Sequence, residues 1–294
     1  MGSNFSNHMK TMGLMAGLVV LCGFAGQVIG NGDPFYLAGF LVFGLLINLG
    51  AWFFSDTIAI KSMRGVAVDP GDTRVIAGSR LSQADLHEMT AEMAASAGLP
   101  MPKLYVCPHE APNAFATGRS PKKGAVAVTV GLLRHMDEAE VRGVIAHELA
   151  HIKHRDTLIS TIAASVAGTL AFLAQWGFFL GIGRDSRGGN PFVVLGVLIL
   201  AAVGAFLIKM AISRSREFAA DREGALIAGT PRGLMSALGK LEQMSKRIPL
   251  DSPNPAQNNL FIIEPMMSSK SLANMFATHP PTEKRIAALA QLEM

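Results

Sequence analysis

The chain has 294 residues, of which 50% are hydrophobic and 16% are charged, and its formal net charge is +4. The charged fraction is well below the roughly 25% of an average soluble domain, which argues against an entirely water-soluble protein. The sequence contains no nucleic-acid-binding motif, so we expect no nucleic-acid partner. The positive balance fits basic flanks that face anionic lipid.

Four long apolar stretches account for the low charge, over residues 11–30, 35–54, 158–182 and 192–212. Each approaches or exceeds the roughly 20 residues that cross a hydrocarbon core as a helix. Their only charge is Lys209, near an end, where it can reach the interface. Buried helices of a soluble core are the alternative, but the set favours four transmembrane helices. The first stretch is too long for a cleaved signal peptide and is followed at once by the second.

Lysine and arginine are unequally distributed between the two sides of these helices. The links 31–34 and 183–191 hold none and two of them, whereas the opposite flanks hold Lys61, Arg64, Lys153, Arg155, Arg214, Arg216 and Arg222. The positive-inside rule therefore predicts a multi-pass protein of the cell membrane with both termini in the cytoplasm. Cys22 lies in a span and Cys107 in the soluble part, so no disulfide is expected, in keeping with a reducing compartment.

This topology divides the chain into four parts. Residues 11–54 form transmembrane helices one and two, and residues 158–212 form helices three and four. Residues 55–157 and 213–294 are the two halves of one cytoplasmic domain. The predicted fold class is a mainly α membrane protein with a cytoplasmic α+β domain that contains a small β-sheet.

Local signals predict the elements of the soluble part. Ser82 with Asp85 caps a helix that runs to about Ala97. Short strands follow at 103–107, 113–117 and 125–130, separated by Pro and Gly. Asp137 and Glu140 form a capping box for a helix that continues with little interruption into the third span.

The second half of the domain contains two further helices. Thr230 and Pro231 mark the start of the first, with proline at its favoured first position. The segment 248–265 is rich in Pro and Asn and is predicted to be a loop. The last helix covers residues 282–292.

Residues 147–151 read His-Glu-Leu-Ala-His. Positions four apart lie on one face of a helix, so His147 and His151 can bind one Zn²⁺. Glu148 is poorly aimed for a third ligand but well placed to take a proton from water that the metal has made acidic. The motif also occurs by chance on solvated helices. The apolar residues Ala146, Leu149, Ala150 and Ile152 favour a packed helix instead.

A hydrolytic zinc site needs a third protein ligand, and Glu217 in the segment Glu-Phe-Ala-Ala-Asp is the candidate. Asp221 lies one turn further along the same face, at the spacing that would let it accept a hydrogen bond from a ligand histidine. A solvated, highly charged helix is the alternative for this segment. His154 is excluded as a ligand because it lies ~10 Å along the helix axis from His147.

The motifs HELAH, EFAAD and NAFATG at 113–118 together resemble the HtpX-type membrane metallopeptidases, which are gluzincins related to the CaaX prenyl proteases. The resemblance covers essentially the whole chain and implies a zincin-like catalytic domain. It implies that one zinc ion is bound by His147, His151 and Glu217, with Glu148 as general base. Asp221 would not bind the ion but would accept a hydrogen bond from a ligand histidine. It further implies cleavage of misfolded membrane proteins during envelope or heat stress.

The same resemblance implies roles for two other segments. Asn113, Ala114, Phe115 and Ala116 resemble the edge strand along which gluzincins bind a peptide backbone, although an ordinary strand is an equal reading of the residues. His279, before two prolines, resembles the family's His-Pro element and would donate to the oxyanion of the reaction. A histidine at a helix start is the alternative.

The predicted function is therefore that of a zinc metalloendopeptidase of the cell inner membrane, acting at the cytoplasmic face on membrane-protein or unfolded substrates. The alternative is a catalytically idle, zinc-binding membrane adaptor or chaperone, against which Glu148 argues. An intramembrane protease is disfavoured because Arg142, Lys153 and Arg155 flank the motif. The spans lack the buried ionisable groups of a transporter. The oligomeric state does not follow from the sequence.

Overall fold

A computed structural model of the chain describes residues 2–30, 32–157, 214–245 and 280–292. The third and fourth predicted transmembrane helices, the loop predicted at 248–265 and His279 lie outside these residues. The described residues fall into two compact units. One extends to Phe54, and the other comprises residues 55–157, 214–245 and 280–292.

The first unit contains helix α1 (Gly2–Ile29) and most of helix α2 (Pro34–Ser62). The segment Pro34–Phe54 of α2, with a mean hydropathy of 2.0, is the one described helix long and apolar enough to cross a membrane. It coincides with the second predicted span, and α2 leaves helical geometry at Phe54. Within α1 the apolar segment Met15–Gln27 is shorter. The count of four transmembrane helices stays a prediction.

The second unit is built on a four-stranded mixed sheet of order β1-β2-β4-β3. Its strands are β1 (Val66–Ala67), β2 (Lys103–Cys107), β3 (Ala114–Thr117) and β4 (Ala125–Thr129). Strands β2 and β4 are parallel, and the outer strands pair with them antiparallel. The three predicted strands are present, two of them one residue shorter than expected, whereas β1 was not predicted.

Strand β4 is buried along its whole length because both faces of the sheet are covered. Val126 and Val128 belong to the main core, which the sheet shares with the helices. On the other face, Ala127 packs with Phe115 and with Ile60 at the end of α2. This burial explains the unbroken apolar run of β4, since a strand covered on both faces has no polar alternation.

Six more α-helices are described: α3 (Gln83–Ser96), α4 (Val130–His135), α5 (Glu138–His154), α6 (Arg214–Ala228), α7 (Arg232–Ser245) and α8 (Thr282–Ala290). A short 3-10 helix covers Pro121–Lys123. The predicted cap at Ser82 is present and forms a full capping box with Asp85, and the predicted capping box of Asp137 with Glu140 is also present. Helix α7 begins one residue after Pro231, and α8 ends two residues earlier than expected.

Helix α5 is the centre of the second unit, and it packs against α6, α7, α3 and β3. A buried carboxylate joins its first turn to α7. Glu140 accepts hydrogen bonds of 2.6 Å from the Ser236 hydroxyl and from the Lys240 ammonium, in addition to its capping bond to the Asp137 backbone. This network fixes the direction in which α5 enters the core.

The predicted continuation of α5 toward the third span is interrupted at Arg155, and the span itself lies outside the described residues. Arg155 adopts the left-handed conformation, with φ 60° and ψ 30°, and its backbone N–H bonds back to His151 and Ile152. Left-handed backbone is rare outside glycine because the Cβ atom approaches the following carbonyl. The helix is therefore interrupted at Arg155 before helical backbone resumes at Asp156.

Candidate metal centre and active site

The helical spacing of the HELAH motif brings its two histidines together. The Nε2 atoms of His147 and His151 are 3.2 Å apart, and the two rings are nearly perpendicular. His147 is buried, whereas the His151 side chain keeps 16% of its surface exposed. Each ring thus directs its Nε2 atom to a common point on the face of α5.

Glu217 reaches this point from α6. Its carboxylate oxygens lie 3.8 Å from Nε2 of His147 and 3.6 Å from Nε2 of His151. Helices α5 and α6 can approach this closely because Gly224 has no Cβ atom. A Cβ at this position would lie only 2.9 Å from the His147 backbone. A side chain at Gly224 would therefore push Glu217 away from the histidines.

The donor set fits a single zinc ion. One ligand atom from each of His147, His151 and Glu217 lies within 4.8 Å of the others, and among the described residues these three form the converging group. Ligands bound at ~2.0–2.1 Å around a tetrahedral ion are about 3.3 Å apart, close to the separations seen here. Two imidazoles and one carboxylate leave a fourth position open, as in catalytic rather than structural zinc sites.

A carboxylate and an arginine lie behind His147. Nδ1 of His147 is 3.0 Å from Oδ1 of Asp221, within charge-assisted contact although short of ideal hydrogen-bond geometry. Arg285 of α8 donates to both oxygens of Asp221, at 2.8 and 2.7 Å. Burial alone would raise the pKa of Asp221, but Arg285 and His147 hold this pKa below its ordinary value. Asp221 is thus ionised and able to hold a proton on Nδ1.

His151 has a carboxylate neighbour of its own. Its Nδ1 atom lies 3.3 Å from Oδ2 of Asp156, which is buried. Burial favours the neutral ring, yet Asp156, Glu217 and Glu148 together raise the pKa of His151 to about 9. The three carboxylates around this imidazole favour positive charge there, and the Arg285 guanidinium also lies nearby, 3.6 Å from Glu217.

Glu148 is buried beside the two histidines, with 4% of its surface exposed. It is not among the three residues whose ligand atoms converge. The Glu148 carboxylate is near enough to His151 and Arg285 to contribute to the raised pKa of both. The Glu148 carboxylate therefore lies at the site but is not one of the candidate metal ligands.

Strand β3 forms an edge of the sheet and contacts α5. The backbone N–H of Thr129 donates to the carbonyl of Asn113, and the pairing continues as Phe115 opposite Ala127. Hydrogen-bonded pairs alternate along an antiparallel ladder, so the N–H and C=O groups of Ala114 and Ala116 point away from β4. The edge offers backbone groups to another strand while its side chains are mostly buried.

The structure brings His147, Glu148, His151, Glu217 and Asp221 into one site. It places Ala114, Phe115 and Ala116 on the adjacent edge strand, with Asn113 directly before it. Sequence reasoning assigned no role to Asp156 or Arg285, which also line the site. Arg285 shares a face of α8 with the core residue Leu289. A charge on an apolar helix face was the available signal, because such a group needs a buried partner.

Comparisons with known proteins agree with this geometry. Residues 80–293 match the description "Peptidase family M48". A "Protease HtpX homolog" of Desulfatibacillum aliphaticivorans is 44% identical over 289 residues, spanning 96% of this chain and 89% of that protein. One from Methylibium petroleiphilum is 45% identical over 286 residues and 96% of both chains.

Among solved structures, the crystal structure of S. mikatae Ste24p aligns with a TM-score of 0.52 at 17% identity, over 98% of this chain and 66% of that one. At this identity the likeness concerns the fold alone, and the chain spans about two thirds of that protein. The family match and the two HtpX homologues carry the assignment. The chain belongs to peptidase family M48, as one of its HtpX-type members.

Proposed function

We propose that the protein is a membrane-bound zinc endopeptidase. The observation that carries this proposal is the convergence of His147, His151 and Glu217, with Glu148 buried beside them. A family assignment alone identifies a peptidase. The two histidines and one glutamate support zinc as the metal. Three protein ligands leave the fourth coordination position of a tetrahedral ion free for water or substrate.

Zinc held by these three residues would supply Lewis acidity toward water and toward the substrate carbonyl. The remaining steps belong to the chain's own groups. Glu148 takes a proton from the attacking water and returns it to the leaving amine. Its position beside the ligand histidines, without being one of the converging ligands, suits this role.

The edge of β3 positions the substrate. Backbone groups of Ala114 and Ala116 pair with an extended peptide, so that the scissile bond is held without demanding a particular sequence. Such recognition suits unfolded polypeptides, which expose backbone that folded proteins do not. Asn113 and Phe115 support the strand from the inside, since both are buried.

His279 completes the proposed site as a donor to the oxyanion. It lies outside the described residues, immediately before Pro280 and α8, which carries Arg285 into the site. Replacing His279 by Ala is expected to lower kcat while zinc binding persists. Equal loss of zinc and activity would assign it to the metal instead.

The proposed substrates are misfolded or damaged membrane proteins, cleaved at the cytoplasmic face of the cell inner membrane under stress. The apolar helix Pro34–Phe54 and the distribution of Lys and Arg support a multi-pass arrangement with two pairs of spans around a split catalytic domain. Protease accessibility of tagged termini, compared between inside-out and right-side-out vesicles, tests this orientation. Termini exposed only in right-side-out vesicles would contradict it.

The deciding experiment combines metal analysis with cleavage of casein and of an unfolded membrane protein. The purified parent should contain about one zinc ion and lose activity with a chelator. Glu148→Gln should keep the zinc but slow hydrolysis by roughly 10²–10⁴-fold. Wild-type rates in this variant would remove the mechanism. Zinc without cleavage in the parent would support the idle adaptor instead.

A further inference from the structure

The interruption of α5 at Arg155 brings Asp156 back to the metal site. In an unbroken helix, a residue five positions after His151 lies roughly 140° around the axis and points to another face. The left-handed backbone of Arg155 redirects the chain at this point. Asp156 is therefore buried with Oδ2 3.3 Å from Nδ1 of His151.

An arginine accompanies Asp156, as one accompanies Asp221. Nε of Arg216 lies 4.0 Å from Oδ1 of Asp156, and both side chains are largely buried. Arg216 directly precedes Glu217 in α6, so one turn of helix supplies both a metal-ligand candidate and this charge. Each of the two histidines thus has a carboxylate near Nδ1, and each of these carboxylates has a guanidinium neighbour, although Arg285 also lies 3.4 Å from Nε2 of His147.

The same junction contacts the edge strand. The hydroxyl of Thr157 donates to the carbonyl of Gly118, directly after β3, at 2.9 Å. Residues 155–157 are therefore fixed from two sides, by the ligand histidine and by the end of the strand. This double attachment accounts for a left-handed arginine, since strained backbone persists where its surroundings determine it.

We propose that Asp156 is a positioning residue for His151, delivered by the left-handed turn at Arg155 and backed by Arg216. A carboxylate only accepts hydrogen bonds, so Asp156 holds the proton of His151 on Nδ1 and keeps the Nε2 lone pair directed at the metal. Asp156 touches neither metal nor substrate in this role. The inference rests on the proposed function, because it presumes that His151 binds the ion.

The test uses the full-length protein in detergent, on a Glu148→Gln background that prevents self-digestion. Zinc affinity is measured by competition with a chromophoric chelator, and the visible spectrum of the Co²⁺-substituted protein is recorded. Asp156→Asn keeps size and an acceptor oxygen but removes the charge. We expect about 10–100-fold weaker zinc binding and a shifted Co²⁺ band.

Glu223→Gln is the matched control. Glu223 of α6 pairs with Lys153 of α5 at 2.6 Å, so its loss also removes a carboxylate between these helices, but one that touches no ligand. Its zinc affinity should stay within about twofold of the parent, and its Co²⁺ spectrum should be unchanged. Asp221→Asn is the positive control, with a loss similar to that of Asp156→Asn.

Unchanged affinity and spectrum in Asp156→Asn, with weakened binding in Asp221→Asn, would overturn the inference. If Asp156→Asn does not fold, Arg216→Gln takes its place, with a shifted Co²⁺ band expected and an unchanged band contradicting the role. A parent that binds no zinc would instead refute the proposed function, so the two failures are distinct.

Discussion

The paired helices α5 and α6 and the edge strand β3 lie side by side but serve the site in opposite ways. The helices contribute side chains: His147, Glu148 and Glu217 are all buried polar groups whose chemistry is lost if the residue changes. Strand β3 buries most of its side chains and leaves its backbone at the sheet edge. The contribution of α5 and α6 to the site depends on which residues they carry. The contribution of β3 depends on its extended backbone conformation.

This difference predicts how each region responds to substitution. Buried charged groups are tolerated only when their partners are present, so changes among the helices should be costly and specific. An edge strand keeps its hydrogen-bonding groups whatever its side chains are, provided that the backbone remains extended.

The largest effect is expected for the metal ligands themselves. His147→Ala and Glu217→Ala should each abolish stoichiometric zinc binding, because two remaining donors cannot hold the ion tightly. Metal content after purification and dialysis is the measurement, with Glu223→Gln as the control. Full zinc content in either variant would exclude that residue as a ligand.

A second prediction concerns the closeness of α5 and α6. Gly224→Ala should destabilise the protein by about 1–3 kcal/mol through overpacking and should weaken zinc binding, because the added Cβ meets the His147 backbone at 2.9 Å. Thermal unfolding and zinc affinity are the measurements. Gly239→Ala in α7 is the control, since nothing lies within 4 Å of its Cβ position. Equal behaviour of both variants would refute the close contact.

The edge strand should respond to the loss of a backbone donor. Ala116→Pro removes an N–H that points away from β4, so the ladder survives while one hydrogen bond to a peptide is lost. We expect KM to rise about 2–10-fold with zinc content unchanged, from a bond worth ~0.5–1.5 kcal/mol. Ala116→Ser, which keeps the N–H, should behave like the parent. An unchanged KM for the proline variant would exclude this edge as a binding strand.

The smallest effect concerns the thiol of β2. Burial raises the pKa of Cys107 to about 12, so at pH 8 only about 10⁻⁴ of this thiol is the reactive thiolate. Alkylation of the native protein at Cys107 should therefore be negligible, and unfolding should restore it. Peptide mapping after labelling is the measurement. Rapid labelling in the folded state would contradict the packing of the sheet.

The sequence predicts the parts of this site that obey regular spacing. Positions i and i+4 on a helix place His147 beside His151, and Glu217 with Asp221 repeats that spacing on α6. Capping residues locate the start of α5 correctly. The strands follow from apolar runs between turn residues, although the two-residue β1 is too short to give such a signal.

Long-range and irregular features escape the same reasoning. The turn at Arg155 is not signalled, because arginine has no preference for left-handed backbone and the break is imposed by tertiary contacts. On a helical projection, Asp156 therefore falls on a different face from His151. Arg285 pairs with Asp221 across 64 residues, a separation over which no periodicity operates.

The pairing of Arg285 with Asp221 also has a consequence for biosynthesis. Translation proceeds from the N-terminus, and the two histidines leave the ribosome long before α8 (Thr282–Ala290). Until α8 docks, the Asp221 carboxylate lacks the two hydrogen bonds that Arg285 donates to it. The ion-pair network behind His147 is thus completed only after both histidines and Glu217 have been synthesised.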